Sequence, residues 1–239
     1  MAALPAHFRS ETTITGILAP DLHTLNTVLG AAIEEQAVSS LNGMRTIWDP
    51  DGSYALFRFV RQPQTFPDVV LRKSESVDAP ILGIELKGWY VLAKEGVPTF
   101  RYKATPNACT DADLLVVVPW ALSQVISGRP MIFSPHIVSA RFAALHRNHH
   151  WQYVRRVKGD PGIETPLGAR PYIGRGKTHD APVDDQGNNF GRIARSGLLT
   201  TFIQETKQHL LSGVAVQRWL QFFQDVAAPP EDSPSGDDD

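Results

Sequence analysis

The sequence predicts an α/β domain, a β-sheet flanked by helices. Two observations carry this. Apolar, β-branched runs at residues 81–92 and 114–118 have the length and content of buried strands. Ahead of them, Leu22, Leu25, Val28, Leu29, Ile33 and Ala37 recur at helical spacing. The composition agrees: 239 residues with 42% hydrophobic and 20% charged residues suffice for a sizeable core. We expect one domain over residues 1–228, with its core at about 20–156 and an irregular basic stretch at about 159–189. An acidic, Pro/Ser-rich tail at 229–239 is expected to be disordered.

In chain order, residues 1–13 form a loose start, and Asp21, after Pro20, is placed to cap a helix that ends at Asn42-Gly43. Asp49-Pro50-Asp51-Gly52 is a turn, and the aromatic alternation of 54–60 predicts a strand. Residues 67–71 give the next strand, a polar turn at 73–79 leads into the 81–92 run, and 97–103 is a further extended segment. Leu114-Leu115-Val116-Val117-Val118 suits a strand buried on both faces. A short helix is expected at 120–126 and a long one over 135–155, with Ile137, Phe142, Leu145 and Trp151 spaced for packing. Residues 190–226 read as mostly helical, broken at Gly213.

One feature does not belong in a plain core strand. Glu85-Leu86-Lys87 interrupts the apolar run 81–92. Burying an ionised group is costly unless it is paired or binds a metal. On a strand, Glu85 and Lys87 project to one face while Ile84 and Leu86 face the other. If residues 67–71 pair with this strand, Asp68 reaches the same face. Two hard carboxylates, Asp68 and Glu85, suit Mg²⁺. Lys87 beside them can position or deprotonate a water, or stabilise charge on a phosphate. The plainer alternative is a cross-strand ion pair. A second acidic-x-Lys string, Glu205-Thr206-Lys207, falls in a helical pattern, where residues two apart do not face each other.

Pro67-Asp68 followed by Glu85-Leu86-Lys87 at the end of an apolar strand resembles the PD-(D/E)XK motif of the restriction-endonuclease-like nucleases. The continuation through residues 88–95 and 98–101 is similar to strings in type II restriction enzymes. The resemblance covers about the middle third of the chain. It implies a central mixed β-sheet flanked by helices and a Mg²⁺-dependent endonuclease acting on double-stranded DNA. In it Asp68 and Glu85 hold the metal, the Leu86 carbonyl serves as a further ligand, and Lys87 orients or activates the attacking water. It also implies a homodimer and a cognate DNA methyltransferase. In some nucleases of this class an acidic residue from an early helix joins the site; here that residue is Glu34 or Glu35, for which plain solvation is the preferred reading.

The charge distribution supports a nucleic-acid partner. Net charge is −2, but residues 141–195 hold ten Lys/Arg against five Asp/Glu, a locally basic segment on an acidic chain. Candidate DNA contacts are Arg141, Arg147, Arg155, Arg156, Arg170, Arg175, Lys177, Asn188, Asn189 and Arg192, with Gln186 a further base-reading candidate. His146, His149 and His150 have helical metal-ligand spacing but no acidic companion, so phosphate contact or exposure is preferred. Asp111 and Asp113 stand near the 114–118 run, where a polar strand start is the simpler account. Gly174-Arg175-Gly176-Lys177-Thr178 fails the nucleotide phosphate-loop pattern, because Pro171 stands where its first glycine belongs.

Cys109 is the one cysteine, which excludes an internal disulfide and fits a cytoplasmic setting. No signal peptide and no membrane-length apolar run are present. Two readings stand beside the restriction enzyme: a repair or junction nuclease on the same fold, and a DNA-binding protein without catalysis. A serine- or cysteine-type hydrolase lacks a nucleophile elbow.

Overall fold

A mixed sheet forms the centre of the fold. Its order is β1 (Phe57–Arg61), β2 (Val69–Lys73), β3 (Leu82–Tyr90), β4 (Leu114–Leu122) and β5 (Pro130–Ile132). A sixth strand, β6 (His136–Ser139), also pairs with β4. The computed structural model describes residues 1–16, 26–62, 64–74, 79–155, 162–174, 176–185 and 187–227, and of residues 26–28 the backbone alone. Asp21, the middle of the 73–79 turn, Arg156, Arg175, Gln186 and the acidic tail lie outside the described residues.

β1, β2 and β3 form an antiparallel meander, and β3 pairs with β4 in parallel. Parallel pairing requires a crossover. Residues 91–113 supply it, passing through a short 3₁₀ turn at Pro106–Ala108. β4 is buried from Leu115 to Leu122, as its unbroken apolar run requires. That strand runs on through Trp120, Ala121 and Leu122, so the helix expected at 120–126 does not form. Trp120 and Leu122 pair with Ile132 and Pro130 of β5 instead.

Helices cover the sheet. α1 (Leu4–His7) and α3 (Arg45–Trp48) are single turns flanking α2 (Asn26–Gly43). α2 crosses β3 closely: a Cβ on Gly88 would stand 4.0 Å from Gly30 Cα. Asn42 near the end of α2 clamps β1 with two hydrogen bonds to the Phe59 backbone, both 2.9 Å. One apolar cluster runs from Leu4 to Leu220 through all these layers.

The predicted long helix over 135–155 is three elements. Residues 136–139 are β6, since His136-Ile137-Val138-Ser139 offers β-branched side chains to the open edge of β4. Ser139 then caps α4 (Ala140–His149), its Oγ accepting from Phe142 N at 3.3 Å. A π-helical turn, His150–Val154, follows. The buried face is also not the predicted one. Phe142 and Leu145 are half-exposed, whereas Ala140, Ala143, Ala144 and Arg147 are buried. Small residues let the helix lie close to its neighbours, and Arg147, at i+3 and i+4 from the alanines, is carried inward with them.

The irregular basic stretch is anchored. β7 (Ile163–Glu164) pairs with β8 (Ala181–Pro182), and Thr178 and Asp180 are buried. Residues 190–226 are less helical than predicted: α5 (Thr200–Gln208) and α6 (Val216–Ala227) are separated by a hairpin, β9 (Leu210–Leu211) and β10 (Val214–Ala215). Ser212 and Gly213 form its two-residue turn, with φ of 51° and 80°, the type I′ pattern that favours glycine. Among the described residues no helix is long and apolar enough to cross a membrane.

Candidate active site

The register of β2 against β3 brings the three predicted residues together. Val69 lies opposite Ile84, so the next position back, Asp68, stands opposite Glu85. The Asp68 carboxylate accepts a hydrogen bond from Leu86 N at 2.9 Å. Lys87 follows two positions after Glu85 on the same face; its Nζ lies 2.6 Å from Glu85 Oε1 and 3.6 Å from Asp68 Oδ2. Ile84 and Leu86 point the other way and are buried in the core. Leu86 thus fixes Asp68 through its N–H.

Glycine at 83 is required by the same packing. A Cβ there would lie 2.6 Å from Pro67 Cγ and 2.7 Å from Asp113 Oδ1. Asp113 is fully buried and accepts from Gly83 N, Thr110 N and the Tyr172 hydroxyl. It therefore ties β3, the start of β4 and the irregular stretch together. Asp111 is exposed and pairs with Arg141.

The electrostatics of the trio are unbalanced. Burial, and then the Glu85 carboxylate, push the Asp68 carboxyl up from its usual 3.8 to about 7, against the pull of Lys87. Burial acts to lower the Lys87 ammonium, but Glu85 and Asp68, with a smaller part from Glu34, outweigh it and hold the lysine above its ordinary range. Lys87 is therefore an ammonium at neutral pH, a donor and not a base. Glu85 Oε2 is buried and, among the described residues, has no hydrogen-bond partner. Two carboxylates thus face one lysine.

That donor set fits a divalent cation. Mg²⁺ keeps several waters and is held by one or two carboxylates together with substrate phosphate oxygens. Asp68 and Glu85 are such a pair, and Glu85 Oε2 is a buried oxygen of the kind such an ion contacts. Among the described residues no group of three or more His, Cys, Asp or Glu side chains gathers to hold a metal. Glu34 forms an ion pair with Arg61 at 2.9 Å, while Glu35 is exposed.

The trio sits in an open cleft of about 520 Å³. Arg101, Lys103 and His179 also line it, as do Gln64 and Thr65 of the β1–β2 connection. Arg101 and Lys103 share a face of the extended segment, and Tyr102 between them is fully buried. Asp180 N bonds to Lys103 O at 2.8 Å and Thr105 N to Thr178 O at 2.8 Å, which lays the irregular stretch along this segment. Sequence reasoning did not single out Arg101 and Lys103; their period-two spacing in the extended 97–103 segment was the available signal.

The predicted DNA contacts divide. Asn188 is exposed and accepts from Arg101 Nη1 at 3.1 Å, so it belongs to the cleft margin. Arg170 and Lys177 are exposed on the irregular stretch. Arg141 is bound to Asp111 and to Cys109 O, both at 2.5 Å. Arg147 is a correction: it is 3% exposed and serves as an internal strut. It pairs with Asp180, donates to Tyr102 O and Ala104 O, and lies 4.7 Å from the Phe190 ring centroid. Arg155, Asn189 and Arg192 line a separate small concavity.

Comparison of the chain with protein-family models, with curated proteins and with solved structures gives no match.

Proposed function

We propose that the chain is a Mg²⁺-dependent endonuclease of double-stranded DNA, with the restriction-endonuclease-like fold and the site-specific cutting of a type II restriction enzyme. The observation that carries this is the joined trio. Asp68 stands just before β2 and Glu85 on the adjacent β3, Glu85 Oε2 is buried without a hydrogen-bond partner among the described residues, and Lys87 reaches both carboxylates. A simple ion pair needs one carboxylate; this site has two.

In this reading Asp68 Oδ and Glu85 Oε hold the cation. When bound, the cation supplies Lewis-acid stabilisation of the scissile phosphate and its leaving oxygen. Lys87 Nζ donates a hydrogen bond to the attacking water or to a non-bridging phosphate oxygen. Leu86 N keeps Asp68 oriented. Arg101 and Lys103 attract the phosphate backbone to the cleft, and Asn188 braces Arg101. The homodimer and the cognate methyltransferase belong to the same reading.

The test is cleavage of mixed-sequence duplex DNA by purified protein, with Mg²⁺ and with EDTA, beside Asp68→Ala and Lys87→Ala. Discrete Mg²⁺-dependent bands from the native protein alone support the reading, and their ends give the target site. Cutting confined to branched or damaged DNA makes it a repair enzyme. A gel shift without cutting makes it a binding protein. Folded protein that neither cuts nor binds DNA overturns the proposal.

A further inference from the structure

A second concavity, of about 170 Å³, shares no lining residue with the cleft. It lies between the π-helical turn after α4 and the loop around residues 189–196. Arg147, Arg155, Arg192, Arg195 and His150 line it, and among the described residues no Asp or Glu does. Arg147 is neutralised by Asp180. Among the described residues no acidic side chain pairs with Arg155 or Arg192.

Three donors here are left unused. Arg155 Nη1, Arg192 Nε and Trp151 Nε1 are buried and, among the described residues, have no hydrogen-bond partner. Trp151 is 5% exposed, so its indole N–H has no access to bulk water. The Arg155 guanidinium lies 4.2 Å from the Trp151 ring centroid, which holds both groups in place. A buried donor without an acceptor is destabilising, more so on a cation. Three such donors on residues that line one small concavity suit an acceptor with several oxygens.

We propose that this pocket binds a single phosphate group, held by Arg155, Arg192 and the Trp151 indole N–H. A phosphate presents oxygens in several directions, and guanidinium groups match it in charge and geometry. The volume sets the size of the ligand. Sites for whole small molecules start at roughly 300 Å³, whereas a water takes about 30 Å³. The pocket therefore has room for one phosphate with a few waters. Its source is either the backbone of a nucleic-acid strand or the free ion; the chemistry recognised is the same.

The test is titration of inorganic phosphate into the full chain at constant ionic strength, followed by calorimetry, for native protein, Arg155→Gln and Arg192→Gln. Saturable binding is expected for the native protein, weakened about tenfold by either substitution, the worth of one charge-assisted hydrogen bond. If a glutamine variant does not fold, Trp151→Phe removes one donor and keeps the ring. Native protein that binds no phosphate, or variants that bind it as well as native, overturn the proposal. A second arm measures short-duplex binding in EDTA. Weakening by Arg155→Gln and competition by phosphate identify the backbone as the source; an unaffected duplex identifies the free ion. The phosphate arm involves no cleavage, so its failure is distinct from failure of the nuclease reading.

Discussion

Asp68 is where a metal-binding pair and a plain ion pair make opposite demands. Burial and the Glu85 carboxylate raise the Asp68 carboxyl from 3.8 to about 7. Between those values the native protein keeps a proton that the unfolded chain has lost. Stability from this group is therefore whole below about pH 4, falls as pH rises, and levels off above about pH 7. About three pK units at about 1.4 kcal/mol each give a ceiling near ~4 kcal/mol. The side chain is only 18% exposed, so solvent screening removes little of this. The proton is shared with Glu85, and we expect about 1–3 kcal/mol from Asp68 alone. Asp68→Asn keeps an acceptor for Leu86 N–H and removes the charge. Urea unfolding in EDTA should find the variant more stable than native protein by that amount at about pH 8 and close to it at about pH 5, with the urea slope unchanged. A variant that is less stable at about pH 8 would show that Lys87 satisfies both carboxylates and that the site has no need of a cation.

Four further outcomes follow from the same geometry. On the nuclease reading Mg²⁺ displaces the Asp68 proton, so its affinity should rise with pH and flatten above about 7; calorimetry on either side of that value checks it, and a flat affinity refutes it. Arg147→Ala leaves Asp180 buried and unpaired, which should cost about 3–5 kcal/mol in unfolding experiments. Arg147→Lys should not restore it, because one ammonium cannot reach Tyr102 O, Ala104 O and Asp180 together. Gly83→Ala should lose about 1–3 kcal/mol of stability through the clash with Pro67 and Asp113. On the nuclease reading, replacing both Arg101 and Lys103 by alanine should weaken duplex binding and reduce its salt slope by about two, at about 0.9 per phosphate contact; an unchanged slope removes them from the interface.

What the sequence determined is what depends on local periodicity. The alternation of strand side chains put Glu85 and Lys87 on one face, and the antiparallel pairing of β2 with β3 adds Asp68 to it. The unbroken apolar run of β4 required burial on both faces. Gly213 stands at the turn where a helical pattern had to stop. What only the tertiary structure decided depends on neighbours distant in the chain. β6 is a strand because the edge of β4 was open to it, which no window of residues 136–139 contains. α4 buries alanines and Arg147 in place of Phe142 and Leu145, since close approach to Tyr102 and Asp180 outweighs side-chain hydrophobicity there. For the same reason Arg147, alike in sequence to the other basic residues, is committed to an internal partner, while Arg101 and Lys103, outside the basic stretch, line the same cleft as the carboxylates. Charge is a property of a residue; whether it meets solvent, a carboxylate or an empty pocket is a property of the fold.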